Sequence, residues 1–238
     1  MPRVVAETPD LLAIDKPAGL ITHRDGRTEE PSLAEWIAEH FPTMTSVGEP
    51  WISPQGERVR VCGLVHRLDR TTSGIIVAAK HDAAFAMLKQ AFKERRVEKR
   101  YRALVYGHVP KDHGVIVAEI ARTGVAPKRW CAKPSRAHDK RAAITHWRLL
   151  SRLTSPEGEQ VSYLELEPKT GRTHQLRVHL ASIGHPIVAD HLYAEGKGPL
   201  AGITRPALHA LEIAFEIDGR RYAFSAPLAE DMASAIGR

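Results

Sequence analysis

The stretch with the clearest chemical potential is HRLDRTTSG, in which one carboxylate lies between two guanidinium groups. Asp69 has Arg67 and Arg70 as its close neighbours, and the run IIVAA that follows predicts a strand buried on both faces. A carboxylate beside a guanidinium can form a structural ion pair, or it can be a nucleophile or base that the positive charge keeps ionised. The spacing alone does not choose between these two roles.

A second candidate lies in THQLRVHLASIG, where Leu176, Leu180 and Ile183 have the i, i+4, i+7 spacing of a buried helix face. Thr173 is the predicted N-cap of this helix, and Gly184 is predicted to follow its end. Arg177 lies about 100° around the helix from Leu176, so we expect it on the flank of the buried face.

Thirteen histidines raise the hypothesis of a metal-dependent hydrolase. However, no HExxH motif occurs, and a separation of five residues places two of the histidines poorly for one helix face. The glycine-rich motifs of nucleotide-binding loops are also missing, so we expect neither a metal nor a cofactor. We interpret five histidines as hydrogen-bonded structural residues, namely His66, His174, His179, His185 and His209.

The elements that must position these residues predict an α+β fold around a largely antiparallel mixed sheet flanked by helices. Predicted helices are 32–40, with a capping box of Ser32 and Glu35, and 82 to about 95, with Asp82 as its cap. Residues 42–60 are predicted to be a loop. Predicted strands are two within 3–15, one each at 74–80, 99–109, 115–121, 143–150 and 161–167, and a hairpin of 209–217 and 221–225 turning at Asp218 and Gly219.

Composition places the chain among globular proteins, with 238 residues, 43% hydrophobic and 26% charged. No signal peptide or membrane-length apolar run is present, and two cysteines cannot build a disulfide framework, so we expect a cytoplasmic monomer without membrane contacts. The net charge of +6 favours a polyanionic partner. Basic residues cluster at 93–102 and 128–141, which could alternatively be solvated faces.

Five segments together resemble the RluA family of RNA pseudouridine synthases. HRLDRTTSG with the following IIVAAK is similar to one signature of that family, and KTGRTHQLRVHLASIGHPIVAD is similar to a second; LLAIDKPAG, KRYRALVYG and RPALHALEIAF match in the same order. The resemblance implies the pseudouridine synthase fold with a central active-site cleft, as one catalytic domain over 1–238 without the S4 domain that relatives often carry upstream. One departure is Ala189-Asp190, where many relatives have Gly-Asp, and another is Tyr193-Ala194.

The resemblance also implies roles for single residues. Asp69 corresponds to the catalytic carboxylate, Arg177 to the arginine that pairs with it, Tyr101 to the tyrosine against the target base, and Arg67 to the arginine that fills the gap of a flipped nucleotide. Leu176, His66 and Thr72 are expected to support the pocket. The basic residues expected to dock RNA are Arg95, Arg96, Lys99, Arg100, Lys128 and Arg129.

The activity that the resemblance implies is isomerisation of uridine to pseudouridine in structured RNA, without cofactor or metal. Ribosomal RNA is the favoured substrate, and transfer RNA is the alternative. A non-catalytic RNA-binding or ribosome-binding protein is the competing hypothesis. The carboxylate could attack C1′ of the ribose or act as a base at C2′, and the sequence does not decide between these routes.

Overall fold

The computed structural model describes residues 1–24, 29–53, 56–122, 130–132 and 140–237. Within these residues the helices are α1 (Leu33–His40), α2 (Asp82–Lys93), α3 (Gln175–Ser182) and α4 (Glu230–Ala235). The strands are β1 (Arg3–Glu7), β2 (Leu11–Lys16), β3 (Trp51–Ile52), β4 (Arg58–Val59), β5 (Ser73–Ala79), β6 (Val97–Tyr106), β7 (His113–Arg122), β8 (Trp130–Ala132), β9 (Arg141–Thr154), β10 (Gln160–Pro168), β11 (Leu208–Ile217) and β12 (Arg220–Ser225).

Two compact units make up the chain. The first contains Met1–Glu98 and Ala210–Pro227, and the second contains Lys99–His209 and Leu228–Arg238. Two of the three boundaries fall within β6 and β11, and neither unit is one continuous segment. That the two units form a single domain over residues 1–238 stays a prediction.

The first unit has the strand order β1, β2, β5, β11, with β12 paired to β11. The pairs β1–β2, β2–β5 and β11–β12 are antiparallel. Every residue of β5 is buried, as the unbroken apolar run predicted. At the start of α1 the Ser32 side chain accepts from the Glu35 N–H, and the Glu35 carboxylate accepts from the Ser32 N–H at 2.9 Å, so the capping box is confirmed.

The predicted cap of α2 was wrong by one residue. His81 precedes the helix, and its Nδ1 accepts from the Ala84 N–H at 3.2 Å. Asp82 is the first helical residue, and its carboxylate accepts from the Gly48 N–H at 2.8 Å, which ties the start of α2 to the preceding loop.

The second unit has the strand order β6, β10, β9, β7, β8, and each of these pairs is antiparallel. Its apolar core includes Leu104, Leu164, Leu166, Leu180 and Ile187. Together with the first unit it confirms the predicted fold class, a largely antiparallel sheet with few helices.

Helix α3 differs from its prediction because it is buried almost all around rather than along one stripe. Residues 175–180 are all buried, including Arg177, whereas Ile183 is 39% exposed. His174, in the left-handed region with φ +55°, precedes the helix without a side-chain cap, so Thr173 is not the N-cap. Arg177 therefore lies inside the unit and not on a helix flank.

Residues 42–60 were predicted to be a loop, but they contain a 3-10 turn at Pro42–Met44 and the hairpin of β3 and β4. Strand β8 and helix α4 also went without a prediction, since three and six residues carry too little periodicity. The Asp218-Gly219 turn between β11 and β12 is confirmed, with φ of +50° and +69°.

No helix among the described residues is long and apolar enough to cross a membrane.

Gly63 is expected to tolerate no side chain. Its φ is +77°, and a Cβ there would lie 2.0 Å from the Ala79 carbonyl oxygen, whereas Gly158 has φ +84° and open space around it. Gly63→Ala should lower the free energy of unfolding by about 2–5 kcal/mol through strain and overpacking, and Gly158→Ala by about 1 kcal/mol through strain alone. Urea unfolding of both variants measures the difference, and equal losses would contradict the close backbone approach.

Candidate active site

The turn that carries Asp69 is fixed through its backbone. The Thr72 N–H donates to the Asp69 carbonyl at 3.0 Å, which closes a turn directly before β5. One residue earlier, the Leu68 N–H donates to the Thr22 hydroxyl oxygen at 3.2 Å, and that hydroxyl donates to the Leu68 carbonyl at 2.9 Å. Thr22 is buried, so both polar groups of Leu68 are satisfied by one hydroxyl away from water.

The residue after Asp69 is held by the segment KPAG. Lys16 is fully buried, and its ammonium donates to the carbonyl oxygens of Pro17 at 2.9 Å, Leu20 at 2.8 Å and Arg70 at 3.4 Å. The Gly19 N–H donates to the same Arg70 carbonyl at 2.8 Å. A buried ammonium needs several acceptors to offset its desolvation, and this one obtains them by fixing the backbone beside Asp69.

The side chains around Asp69 differ in their surroundings. Arg70 forms an ion pair with Glu30. Arg67 is exposed and forms no ion pair with another described residue, which leaves its guanidinium available to a ligand. Asp69 itself is half-buried.

His66 and Thr72, the expected supports, both belong to the framework of this turn. The Val77 N–H of β5 donates to His66 Nε2 at 3.0 Å, and the His66 ring stacks on Phe92 of α2 at 4.7 Å between centroids. Thr72 is 2% exposed. The expected roles of His66 and Thr72 in supporting the pocket stay predictions.

In the second unit, Arg177 forms a buried bidentate ion pair with Asp190. Arg177 Nε and one Nη each lie 2.7 Å from a carboxylate oxygen, and the side chains are 3% and 0% exposed. The guanidinium also lies 5.1 Å from the centroid of the Tyr193 ring. Asp190 was not predicted as the partner of Arg177, although both residues lie in the second long motif.

Ala189, where many relatives have glycine, adopts the left-handed region with φ +58°. Its N–H donates to the Tyr106 hydroxyl at 3.2 Å, and the residue is buried. The turn before Asp190 therefore needs the conformation that glycine adopts most easily, as the sequence comparison with the family motif suggested.

A buried polar network fastens α3 to β9. The Gln175 side-chain amide donates to the Ile144 carbonyl at 3.0 Å and to Thr145 Oγ1 at 3.1 Å, and its oxygen accepts from Thr170 at 2.7 Å. His179 Nδ1 lies 2.9 Å from the same Thr145 hydroxyl. This network fixes the axial position of the helix and with it the position of Arg177.

Tyr101 and Leu176 also lie in the second unit. Tyr101 is half-buried on β6, where it pairs in register with Leu166, and it packs against the apolar core. Leu176 is 6% exposed within that core, and its expected role in supporting the pocket stays a prediction. Asp69 belongs to the first unit, so the predicted roles of Tyr101 and Arg177 beside it stay predictions.

The basic run at 93–102 is less available than its charge suggested. Arg95 is exposed and Arg100 is exposed, but Arg96 pairs with Glu94 at 2.6 Å and donates to the Glu216 carbonyl. Lys99 is half-buried, and burial lowers its pKa. The other predicted docking residues, Lys128 and Arg129, lie outside the described residues.

Four of the five histidines that were predicted to be hydrogen-bonded lie at hydrogen-bonding distance from a partner. His66 accepts from the backbone, and His174, His179 and His185 lie within 3.0 Å of the Tyr193 hydroxyl, the Thr145 hydroxyl and the Tyr106 carbonyl. His209 is fully buried. In the described part of the chain, no three His, Cys, Asp or Glu side chains are grouped so that they could hold a metal ion.

Comparison with known proteins decides the family. The family model described as RNA pseudouridylate synthase matches residues 10–182, which include the Asp69 turn and the Arg177 helix. The chain belongs to the RNA pseudouridylate synthase family. The predicted resemblance is thereby confirmed.

Relatives in this pseudouridylate synthase family align along most of the chain. An uncharacterized RNA pseudouridine synthase of Aquifex aeolicus is 37% identical over 191 residues, 80% of this chain and 55% of that protein. The ribosomal large subunit pseudouridine synthase D of Zymomonas mobilis is 34% identical and covers 96% of this chain and 70% of its own. The chain thus spans between about half and two thirds of the length of such curated relatives.

A solved structure of this family supports the fold. Human RNA pseudouridylate synthase domain containing 1 superposes with a TM-score of 0.75 at 29% identity, over 95% of this chain and 83% of that one. The agreement extends through both compact units because nearly the whole chain is covered.

We expect the buried Arg177–Asp190 pair to be far more costly to break than an equivalent pair near the surface. Asp190→Asn should lower the free energy of unfolding by about 3–5 kcal/mol, because the Arg177 charge stays buried without its counter-ion. Arg205 and Asp231 form the same bidentate geometry at 2.8 Å but are 15% and 30% exposed, so Asp231→Asn should cost about 1 kcal/mol or less. Chemical denaturation measures both, and similar losses would refute the effect of burial.

The fully buried His179 should make stability depend on pH. Burial lowers its pKa from 6.5 to about 4, and Nε2 has no hydrogen-bond partner in the described part of the protein. Between these values the unfolded chain binds more protons, so the free energy of unfolding falls as the pH falls from 6.5 towards 4, by about 2 kcal/mol at pH 5.

His179→Gln should remove this dependence of the free energy of unfolding on pH. Compared with wild type, the variant should therefore be relatively more stable at pH 5 than at pH 7. Guanidinium unfolding at the two pH values measures the shift. His113→Gln, at an exposed position of β7, is the matched control and should retain the wild-type pH dependence. An unaltered pH dependence in His179→Gln would disprove the assignment.

Proposed function

We propose that the chain is an RNA pseudouridine synthase, an isomerase, with Asp69 as its catalytic carboxylate. The observation that carries the proposal is the turn at Leu68–Thr72, whose backbone is fixed on both sides while the Asp69 side chain remains half-exposed. A family match that spans this turn supports it. A structural ion pair with Arg70 is disfavoured as the purpose of Asp69, since Arg70 pairs with Glu30.

The chemistry agrees with a site of this kind. In pseudouridine formation the C1′–N1 bond breaks, the uracil turns, and a C1′–C5 bond forms, while C5 loses a proton and N1 gains one. No atoms or electrons are exchanged with a second substrate, so a carboxylate at the ribose, a surface for the detached uracil and exclusion of water suffice. Asp69 would engage the ribose at C1′ or at C2′, and Tyr101 would contact the uracil.

Arg67 is proposed to assist base flipping. A uridine stacked in RNA cannot reach an enclosed carboxylate, so it must leave the stack at a cost of a few kcal/mol. Arg67 lies two residues before Asp69, is exposed, and forms no ion pair in the part of the chain that the structure describes. Its planar guanidinium can occupy the vacated space and stack on neighbouring bases, which offsets part of the cost of flipping.

Ribosomal RNA of the large subunit is the proposed substrate. Support comes from relatives named ribosomal large subunit pseudouridine synthase D in two bacteria, at 34% and 33% identity. Transfer RNA remains the alternative substrate. The two unpaired cysteines fit a reducing compartment, so we propose that the protein acts in the cytoplasm. We also propose that it acts as a monomer and without a metal or cofactor.

Asp69→Asn is the decisive variant. It should reduce pseudouridine formation by at least about a thousandfold, because the amide can neither attack the ribose nor accept its proton, while RNA affinity changes less than about threefold. Pseudouridine is mapped in ribosomal and transfer RNA from cells that lack the gene, after treatment with each purified protein. The map also identifies the modified RNA.

Glu39→Gln, which removes an exposed carboxylate on α1, is the matched control and should modify RNA at the wild-type rate. Appreciable turnover by Asp69→Asn would exclude Asp69 as the catalytic group. A wild-type protein that binds RNA but modifies no uridine would instead support the non-catalytic RNA-binding hypothesis.

A further inference from the structure

The hairpin of β3 and β4 lies in a segment that the sequence did not predict to be structured. Trp51 pairs in register with Val59, and Ile52 pairs with Arg58. Because side chains alternate along a strand, Trp51 and Val59 share one face, and Ile52 and Arg58 share the other. Trp51 is 36% exposed and Ile52 is 55% exposed, so the hairpin presents large apolar groups to solvent on both faces.

The hairpin is connected to the Asp69 turn within the first unit. The Trp51 ring contacts the His23 ring at 5.6 Å between centroids, with an angle of 44° between the planes. Thr22, the residue before His23, donates to and accepts from the Leu68 backbone, directly between Arg67 and Asp69. The aromatic pair is therefore one residue from the anchor of the proposed catalytic turn.

Charge on the hairpin is suited to phosphate. Arg58 and Arg60 are exposed, and neither forms an ion pair with another described residue. Exposed Arg67 adds a third such guanidinium near the same anchor. Glu57 adds one negative charge on the hairpin, whereas Glu49 is neutralised by Lys89 at 2.7 Å, so the positive charge exceeds the negative.

We infer that the β3–β4 hairpin is an RNA-contacting element that binds the unpaired nucleotides beside the target uridine. Trp51, backed by His23, is the stacking surface for one base. Arg58 on the opposite face and Arg60 directly after β4 contact the phosphates. The inference rests on the proposed function and deepens it, because it names the surface that binds the RNA strand next to the flipped uridine.

Single-stranded RNA is the occupant that fits these groups. Tryptophan stacks on any base, and arginines contact the backbone, which together is the arrangement found where unpaired nucleic acid is bound. The excess of positive charge at Arg58 and Arg60 favours a polyanion over an apolar protein partner, because each phosphate contact releases condensed counterions. When the uridine flips, the adjacent bases lose a stacking partner. An aromatic side chain beside them can therefore stack on one of those bases.

The test is a kinetic series on large-subunit ribosomal RNA purified from cells that lack the gene. Trp51→Ala should raise KM about tenfold and leave kcat within about twofold, as expected when a stacking contact outside the reacting atoms is lost. Trp51→Phe should recover most of the affinity, and Trp51→Leu should not, because leucine restores apolar bulk without a ring. Val117→Ala, at an exposed apolar position of β7, is the control and should behave as wild type.

A second measurement tests the arginines. Arg58→Gln with Arg60→Gln should lower the slope of log affinity against log salt concentration by about 1–2, since two phosphate contacts are lost. Unchanged KM in Trp51→Ala, or recovery by Trp51→Leu, would overturn the inference while the wild-type activity upholds the proposed function. If the wild type forms no pseudouridine, filter binding of the same RNA tests the hairpin alone, and equal affinity of wild type and Trp51→Ala would overturn it.

Discussion

The structure around the proposed active site depends on hydrogen bonds that fix the backbone on either side of Asp69. A carboxylate that acts on a ribose must keep its position while the base detaches, and side-chain contacts alone would have to be broken and reformed as the substrate moves. Here the Thr22 hydroxyl holds Leu68, and the buried Lys16 ammonium holds Arg70. The backbone on either side of the carboxylate is thus fixed by groups other than the Asp69 side chain.

The second unit applies the same principle to Arg177 with a different chemistry. Its guanidinium has two donors engaged by Asp190 at 2.7 Å, and the helix beneath it is fixed by the amide of Gln175. A buried ion pair contributes little net stability compared with an apolar pair of equal size, so its presence is better explained by orientation than by stability. Both units thus use interior polar groups to orient a side chain that the family motif contains.

Prediction from the sequence succeeded where the signal was local and strong. The apolar run of β5, the capping box at Ser32 and the Asp218-Gly219 turn each reflect neighbouring residues alone. It failed where tertiary contacts decide. Thr173 has a capping side chain, yet the chain enters α3 through a left-handed His174.

Site residues followed the same division. Asp69 and Arg177 could be identified from the motifs. No spacing rule predicts that Arg177 forms an ion pair with Asp190, or that the Lys16 ammonium donates to the Arg70 carbonyl 54 residues away. That separation governs how the site comes into being. The anchors join positions 46 and 54 residues apart, and the segments that they join are held together by the pairing of β2 with β5. Because contacts of this separation require closure of a long loop, the geometry of the Asp69 turn depends on the whole first sheet and not on its local sequence.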